Sequence, residues 1–176
     1  MSAAFAFARE TLDAIQILHA RRRYPQLVVL LYSAIDTLGW LATASDRASA
    51  DSFREWVDTY MLPGSALSCT ADDLWSARNG LLHTGTPEST LSSQGKARQL
   101  WYYGGDRSED FLSKRIAGRT DIVGVRTLDL VEAFANGATR FAEAVSRNSA
   151  LAARVNQRAA LWLKWAPPDD PEDPSL

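Results

Sequence analysis

Apolar residues recur at intervals of three and four along most of the chain, which predicts a mainly α-helical protein. Residues 26–43 are apolar on almost every side, so they are expected to form a buried central helix. Residues 166–176 are acidic and rich in proline, and they are expected to be a disordered tail. A single helical domain is therefore predicted over residues 1–165. Its helices are expected over residues 3–22, 26–43, 53–61, 70–85, 127–147 and 149–165.

The middle of the chain, residues 86–126, follows a different pattern. Residues 86–95 are rich in Ser and Thr and are expected to form a loop. The aromatic run 99–103 ends in two glycines, and residues 121–125 are apolar, which predicts a small β-hairpin around 98–125 with a helical turn inside it. The aromatic side chains of the run either stack on nucleic-acid bases or belong to the core or to a protein interface.

The predicted helix over residues 70–85 has signals at both ends. Thr70 is a good N-cap, and Asp73 follows three residues later, as in a capping box. Gly85 is placed to adopt the left-handed conformation that closes a helix, and Pro87 prevents the helix from resuming. Chemistry-bearing side chains should therefore be held rigidly on this helix.

A permanent cation, an amide and an imidazole lie near the end of this helix, at Arg78, Asn79 and His83. The planar Arg fork matches a phosphate, and His is the side chain best suited to move a proton near neutral pH. An offset of five residues turns a helix by roughly 140°, so only the length of Arg and the last turn bring the two together. The alternative is a purely structural pair. Gly80, between them, leaves space for a backbone or a substrate.

Asp36 is an isolated carboxylate in the apolar helix over residues 26–43, where it is costly unless it is paired. It either bonds to the backbone or a neighbouring helix, or it holds Arg78 in position. Ser33 lies three residues earlier on the same face and is a second supporting candidate. The cations at residues 21–23 (Arg21, Arg22 and Arg23) either complement the dipole of the first helix or form an RNA-binding patch.

Composition limits the other function classes. The chain has 176 residues, a net charge of −2 and a pI of about 5.7, which argues against a broad basic surface for long duplex nucleic acid. Its single cysteine, Cys69, cannot form an internal disulfide, and two His with one Cys cannot supply a typical zinc site. No cofactor or metal is expected. Without a signal peptide or an apolar run of transmembrane length, the protein is expected to be cytoplasmic.

The pair Arg78–Asn79, followed after three residues by His83, resembles the Arg-polar-His signature of the HEPN superfamily (higher eukaryote and prokaryote nucleotide-binding domains). The longer run Asp-Leu-Trp-x-x-Arg-Asn-Gly-Leu-Leu-His-Thr, over residues 73–84, is similar to a plasmid- and defence-associated bacterial branch of that superfamily. The resemblance implies an all-α bundle that forms a homodimer through the motif helices. It also implies, in many members, a metal-independent ribonuclease.

The resemblance implies a role for each residue of the motif. His83 would act as the base for the ribose 2′-hydroxyl or as the acid for the 5′-oxygen, Arg78 would clamp the phosphate, and Asn79 would orient a phosphate oxygen or the histidine. Two alternatives remain. The same face could serve a non-catalytic nucleotide-binding or dimerisation module, or the protein could be a toxin controlled by an antitoxin or another protein partner.

Overall fold

The computed structural model describes residues 3–104 and 106–161, and this part of the chain is mainly helical, as predicted. Two short strands, joined through a helix, interrupt the helical order. The elements are α1 (Ala3–Ala20), α2 (Tyr24–Ala42), α3 (Ala50–Trp56) with a π-helical continuation (Val57–Met61), α4 (Ala71–Thr84), α5 (Thr90–Ser93), β1 (Gln99–Tyr103), α6 (Asp106–Ile116), β2 (Ile122–Arg126), α7 (Thr127–Arg147) and α8 (Ser149–Ala159).

The centre of the protein is α2, as its apolar sequence predicted. Leu27, Leu31 and Ile35 are completely buried, and the helix packs against α1, α3, α4, α7 and α8. By length and composition α2 could cross a membrane, so the expectation that no apolar run reaches that length was wrong. Half of its apolar length is buried inside the protein, however, because five helices pack against it. This packing is consistent with the core helix of a soluble protein.

The predicted strand pair is present, but its geometry is not that of a hairpin. β1 and β2 are parallel, with Gln99 opposite Ile122 and Tyr103 opposite Arg126. The prediction was wrong because the connection contains the whole helix α6, and a crossover of this kind returns the chain in the same direction. β1 also packs against α4, so this small unit supports the helix that carries the candidate residues.

Other elements also differ from the prediction. The short helix α5 lies in the expected loop, where the Ser89 hydroxyl accepts from the backbone N–H groups of Leu91 and Ser92. The last helix ends at Ala159 rather than at residue 165, because the Leu161 N–H bonds to the Arg158 carbonyl and tightens the final turn. The predicted helix end at 162–165 and the predicted tail lie outside the described residues.

Candidate active site

The helix α4 is anchored at both ends. At its start the Thr70 hydroxyl accepts from the Asp73 N–H at 3.2 Å, and the Asp73 carboxylate accepts from the Thr70 N–H at 3.0 Å, which confirms the predicted capping box. At its end Gly85 has φ 69°, in the left-handed region, as predicted. The ends of α4 are therefore defined by local contacts that the sequence specifies.

Asp73 also binds a residue outside α4. Its carboxylate accepts from the Arg98 backbone N–H at 2.6 Å and from Arg98 Nε and Nη2 at 3.1 and 2.6 Å. Burial alone would raise the pKa of Asp73, but the hydrogen bonds from Arg98 and Thr70 outweigh it, and the pKa is lowered. Because Arg98 directly precedes β1, this ion pair attaches the strand pair to the start of α4.

Gly80 admits the chain's own backbone. A Cβ at this position would lie 2.5 Å from the Thr86 carbonyl oxygen and 2.6 Å from that of Glu88. The Gly80 carbonyl in turn accepts from the Thr86 N–H at 3.3 Å and from the Thr84 hydroxyl at 2.7 Å. Of the two expected uses of this glycine, the structure therefore shows the close approach of a backbone, which folds the loop after α4 back onto the helix.

The side chain of Arg78 joins the other candidate residues into one network. Its Nε donates to Asp36 Oδ2 at 2.6 Å, and its Nη2 lies 2.6 Å from the same oxygen. Its Nη1 donates to Asn79 Oδ1 at 2.9 Å and lies 3.3 Å from His83 Nε2. The predicted contact between Asp36 and Arg78 is thus present, and the five-residue offset between Arg78 and His83 is bridged by the guanidinium.

Asp36 and Arg78 lie in a partly buried site, with side chains 24% and 20% exposed. Burial raises the pKa of Asp36. The hydrogen bond and the charge of Arg78 lower it by less, so the pKa stays above its usual value. The fold therefore stabilises the charged form of this carboxylate less than its short contacts with Arg78 suggest.

The imidazole of His83 is exposed, and its contact with Arg78 specifies its tautomer. A guanidinium has five N–H donors and no acceptor, so His83 Nε2 must be the acceptor in this contact. The neutral ring therefore carries its proton on Nδ1 and presents an unprotonated nitrogen to the guanidinium.

Two open grooves meet at this network. The first, of about 510 Å³, has mostly hydroxyl and amide side chains, and we call it the hydroxyl groove; its lining includes Asn79, His83, Thr84, Thr86, Thr90 and Ser93. The second, of about 350 Å³, contains two tryptophans, and we call it the indole groove; its lining includes Asp36, Thr37, Trp40, Ser49, Trp75 and Arg78. Arg78, which lines the indole groove, contacts Asn79 and His83, which line the hydroxyl groove.

The two tryptophans of the indole groove were not among the predicted site residues. The Arg78 guanidinium lies 5.1 Å from the centre of the Trp75 ring. Trp75 precedes Arg78 by three residues and Trp40 follows Asp36 by four, so each tryptophan shares a helix face with one member of the ion pair. This spacing was a signal in the sequence that could have identified both residues.

Other predicted residues are not brought to this network. Ser33 is exposed and lines a separate groove with Leu81, and its hydroxyl bonds to nothing in the described part of the chain. The side chains of residues 21–23 are exposed where α1 passes into α2. Within the described part of the chain, no ion pair or side-chain hydrogen bond links Ser33 or residues 21–23 to Arg78. Their roles as supporting and RNA-binding residues stay predictions.

Other chemistry is limited in the described residues. They contain no group of three or more His, Cys, Asp or Glu side chains that could hold a metal ion. Burial raises the pKa of the Cys69 thiol to about 11, so this cysteine is a poor nucleophile at neutral pH. Comparison with protein-family models, curated proteins and solved structures found no match to the chain. The geometry of the Arg78 network is therefore the main basis for a functional conclusion.

Proposed function

We propose that the protein is a cytoplasmic, metal-independent HEPN-type endoribonuclease, with Arg78, Asn79 and His83 as catalytic residues and Asp36 as a positioning residue. The observation that carries the proposal is that one guanidinium contacts Asp36, Asn79 and His83 together, beside an open polar groove. The resemblance of residues 78–83 to the HEPN signature supports the same chemistry.

RNA carries its own nucleophile, the ribose 2′-hydroxyl, which DNA lacks. His83 Nε2 accepts the proton of this hydroxyl while the oxygen attacks the neighbouring phosphorus, and the bond to the 5′-oxygen breaks. Arg78 donates to the phosphate oxygens, where negative charge grows in the transition state. The products are a 2′,3′-cyclic phosphate and a 5′-hydroxyl, and the departing 5′-oxygen needs a proton from a general acid.

A second copy of the chain would supply this acid. The chain has two histidines, and His19, the other one, lies at the end of α1 with its ring 5.8 Å from that of Tyr24. A two-fold homodimer with the α4 helices at its interface would place two copies of His83 in one cleft, one as base and one as acid. Such a dimer would also concentrate positive charge on a protein with a net charge of −2.

Asp36 prepares Arg78 for this role by limiting its conformations. Two contacts with one carboxylate oxygen hold the flexible side chain in place, so less conformational entropy is lost when a phosphate binds. The four contacts of Arg78 use at most four of its five N–H donors. A phosphate would take the remaining donor and displace the long 3.3 Å contact with His83, which frees the histidine for the 2′-hydroxyl.

A non-catalytic nucleotide-binding or dimerisation module is the second candidate. It is favoured by the pairing of Arg78, because a guanidinium already bonded to Asp36 and Asn79 and only 20% exposed is also what a structural ion pair looks like. In this alternative the exposed His83 would contact a nucleotide or the second copy without transferring a proton.

The deciding experiment is cleavage of an end-labelled, mixed-sequence single-stranded RNA in the presence of EDTA. Wild type is expected to produce fragments with 2′,3′-cyclic phosphate ends, and His83→Ala and Arg78→Ala are each expected to lower the rate by about 10²–10⁴-fold. His19→Ala is the matched control, since it removes the chain's other histidine, and it is expected to cleave at the wild-type rate. DNA of the same sequence should stay intact.

Sedimentation of each variant would verify folding and the oligomeric state. Equal cleavage by wild type and the His83 variant would reject His83 as the catalyst. A folded dimer that binds RNA but does not cleave it would favour the non-catalytic module. A stable monomer that cleaves RNA would refute the proposal that a second copy supplies the acid.

A further inference from the structure

The indole groove has a composition that RNA cleavage at Arg78 does not by itself require. It holds about 350 Å³ between α2, α4 and the start of α3, and two indole rings contribute to its lining. Arg158 covers Trp40 from one side, with its guanidinium carbon 5.5 Å from the ring centre. Arg158 is itself buried and does not line the groove, whereas Trp40 does.

The groove also offers a hydrogen-bond acceptor. Both contacts of Arg78 fall on Asp36 Oδ2, and Asp36 Oδ1 accepts no hydrogen bond from residues 3–104 or 106–161. An aromatic surface beside a single anionic acceptor and a guanidinium plane suits a flat ligand with N–H donors on its edge. Nucleobases have this character, and indole rings and Arg guanidinium planes are surfaces on which unpaired bases stack.

The position of the groove identifies which base would enter it. Arg78 lines the indole groove and bonds to Asn79 and His83, which line the hydroxyl groove. A phosphate on Arg78 would therefore lie at the junction, with the ribose and its 2′-hydroxyl toward His83. The base of a nucleotide adjoining that phosphate is then within reach of Trp40.

We infer that the indole groove is a nucleobase site, in which one unpaired base next to the scissile phosphate stacks on Trp40 and donates an N–H to Asp36 Oδ1. This inference rests on the proposed ribonuclease function and adds a substrate class to it. A base in a duplex is stacked and paired on both sides, so the substrate is single-stranded RNA or an unpaired loop. Bases with an exocyclic amino group match the acceptor.

The test is a double-mutant cycle, in which one change is made in the protein and one in the RNA. It is measured as equilibrium binding, so it does not depend on turnover. His83→Ala protein is titrated into fluorescein-labelled, unstructured RNA decamers in which one abasic nucleotide is moved along the strand. At one position the missing base should weaken binding by roughly ten- to a hundredfold, as expected for a lost stacking contact. Trp40→Leu in the same background should weaken binding of the intact RNA to a similar extent.

The deciding measurement combines the Trp40→Leu protein with the abasic RNA. In Trp40→Leu protein the abasic position should cause no further loss, because its stacking partner is already gone. Trp40→Phe should recover most of the affinity, and Trp101→Leu, which changes a tryptophan of β1 that lines a different groove, should bind like its parent. Independent, additive losses would overturn the assignment of Trp40, and so would binding that no abasic position changes.

A cleavage assay with protein that retains His83 tests this inference and the proposed function separately. Cleavage that depends on His83, with no effect of Trp40→Leu or of any abasic position, would leave the ribonuclease standing and reject the base site. Coupled losses in binding without any cleavage would support the base site and reject the ribonuclease. A protein that neither binds nor cleaves the RNA would overturn both.

Discussion

Two of the ion pairs on the helix α4 have equally short closest contacts but different electrostatic states. Near its start Asp73 lies 2.6 Å from Arg98, and further along Arg78 lies 2.6 Å from Asp36. The pKa of Asp73 is lowered, whereas that of Asp36 is raised, because at Asp36 the effect of burial outweighs the opposing effects of Arg78 and His83. Distance alone therefore does not distinguish a stabilising ion pair from one that strains the fold.

The difference lies in how completely each carboxylate is bonded. Asp73 accepts hydrogen bonds at both oxygens, from two backbone N–H groups and from two nitrogens of Arg98. Asp36 accepts through Oδ2 alone, from Arg78. A complete set of partners marks the start of α4 as structural, and an incomplete set, which leaves donors and acceptors open to a ligand, marks the region around Arg78 as the candidate site.

The largest effect is expected when the complete ion pair is broken. Asp73→Ala removes the partner of Arg98 and half of the capping box, so the free energy of unfolding should fall by about 3 kcal/mol. Urea denaturation at pH 7 would measure it. Asp72→Ala is the control, because Asp72 pairs with Arg54 at 2.6 Å but is 57% exposed, and its removal should cost less than about 1 kcal/mol. Equal losses would contradict the comparison.

The next effect concerns the close approach of the loop to the second half of α4. Gly80→Ala would ordinarily stabilise a helix by about 1 kcal/mol. Here the new Cβ would meet two backbone carbonyl oxygens, at 2.5 and 2.6 Å, and the unfolding free energy should instead fall by about 2 kcal/mol. Thermal and urea denaturation would measure the change. A variant as stable as wild type would show that the loop does not return to α4 in this way.

Opening the incomplete pair should affect activity more than stability. Asp36→Asn keeps the size of the side chain and one acceptor for Arg78, and both groups retain some solvent contact, so stability should change by less than about 1 kcal/mol. RNA cleavage at saturating substrate should fall by roughly tenfold or more, since Arg78 loses its charged anchor. Undiminished cleavage in this variant would remove Asp36 from the site.

The smallest expected effect is on the pH dependence of stability, to which Asp73 and Asp36 contribute with opposite signs. Stability from Asp73, whose pKa is lowered, is present above the unfolded value of 3.8 and is lost as pH falls through the folded pKa. Asp36, whose pKa is raised, gives its stabilising contribution in the protonated form, and this contribution is lost as pH rises above 3.8. As the pH falls, the free energy of unfolding of wild type should decrease relative to that of Asp73→Asn. Over the same range it should increase relative to that of Asp36→Asn. Urea denaturation at a series of pH values would measure both differences.

The comparison also shows how far the sequence could predict this protein. The capping box from Thr70 to Asp73 and the closing Gly85 are local, so the ends of α4 were predicted from neighbouring residues. The contact of Asp36 with Arg78 spans 42 positions, yet it was one of the two alternatives that the sequence offered, because a lone carboxylate in an apolar helix needs a partner.

Other features depend on contacts that no local pattern specifies. Arg98 follows a polar loop in the sequence, and nothing there indicates that it would bind Asp73. The direction of β2 relative to β1 was predicted wrongly because two short apolar runs carry no information on whether the intervening chain turns or crosses over. Trp40 and Trp75 were missed because neither was considered together with the charged residue one turn away on its helix.

The guanidinium above Trp75 also gives the site an optical property. The emission of an indole responds to its immediate surroundings, and here a cation that would bind the substrate lies 5.1 Å from the ring. A phosphate bound to Arg78 would place negative charge beside this cation and so change the environment of the ring. The chain has six tryptophans, so the signal is the part of the fluorescence change that Trp75→Phe removes. Occupancy of the site could then be followed in solution without any attached label.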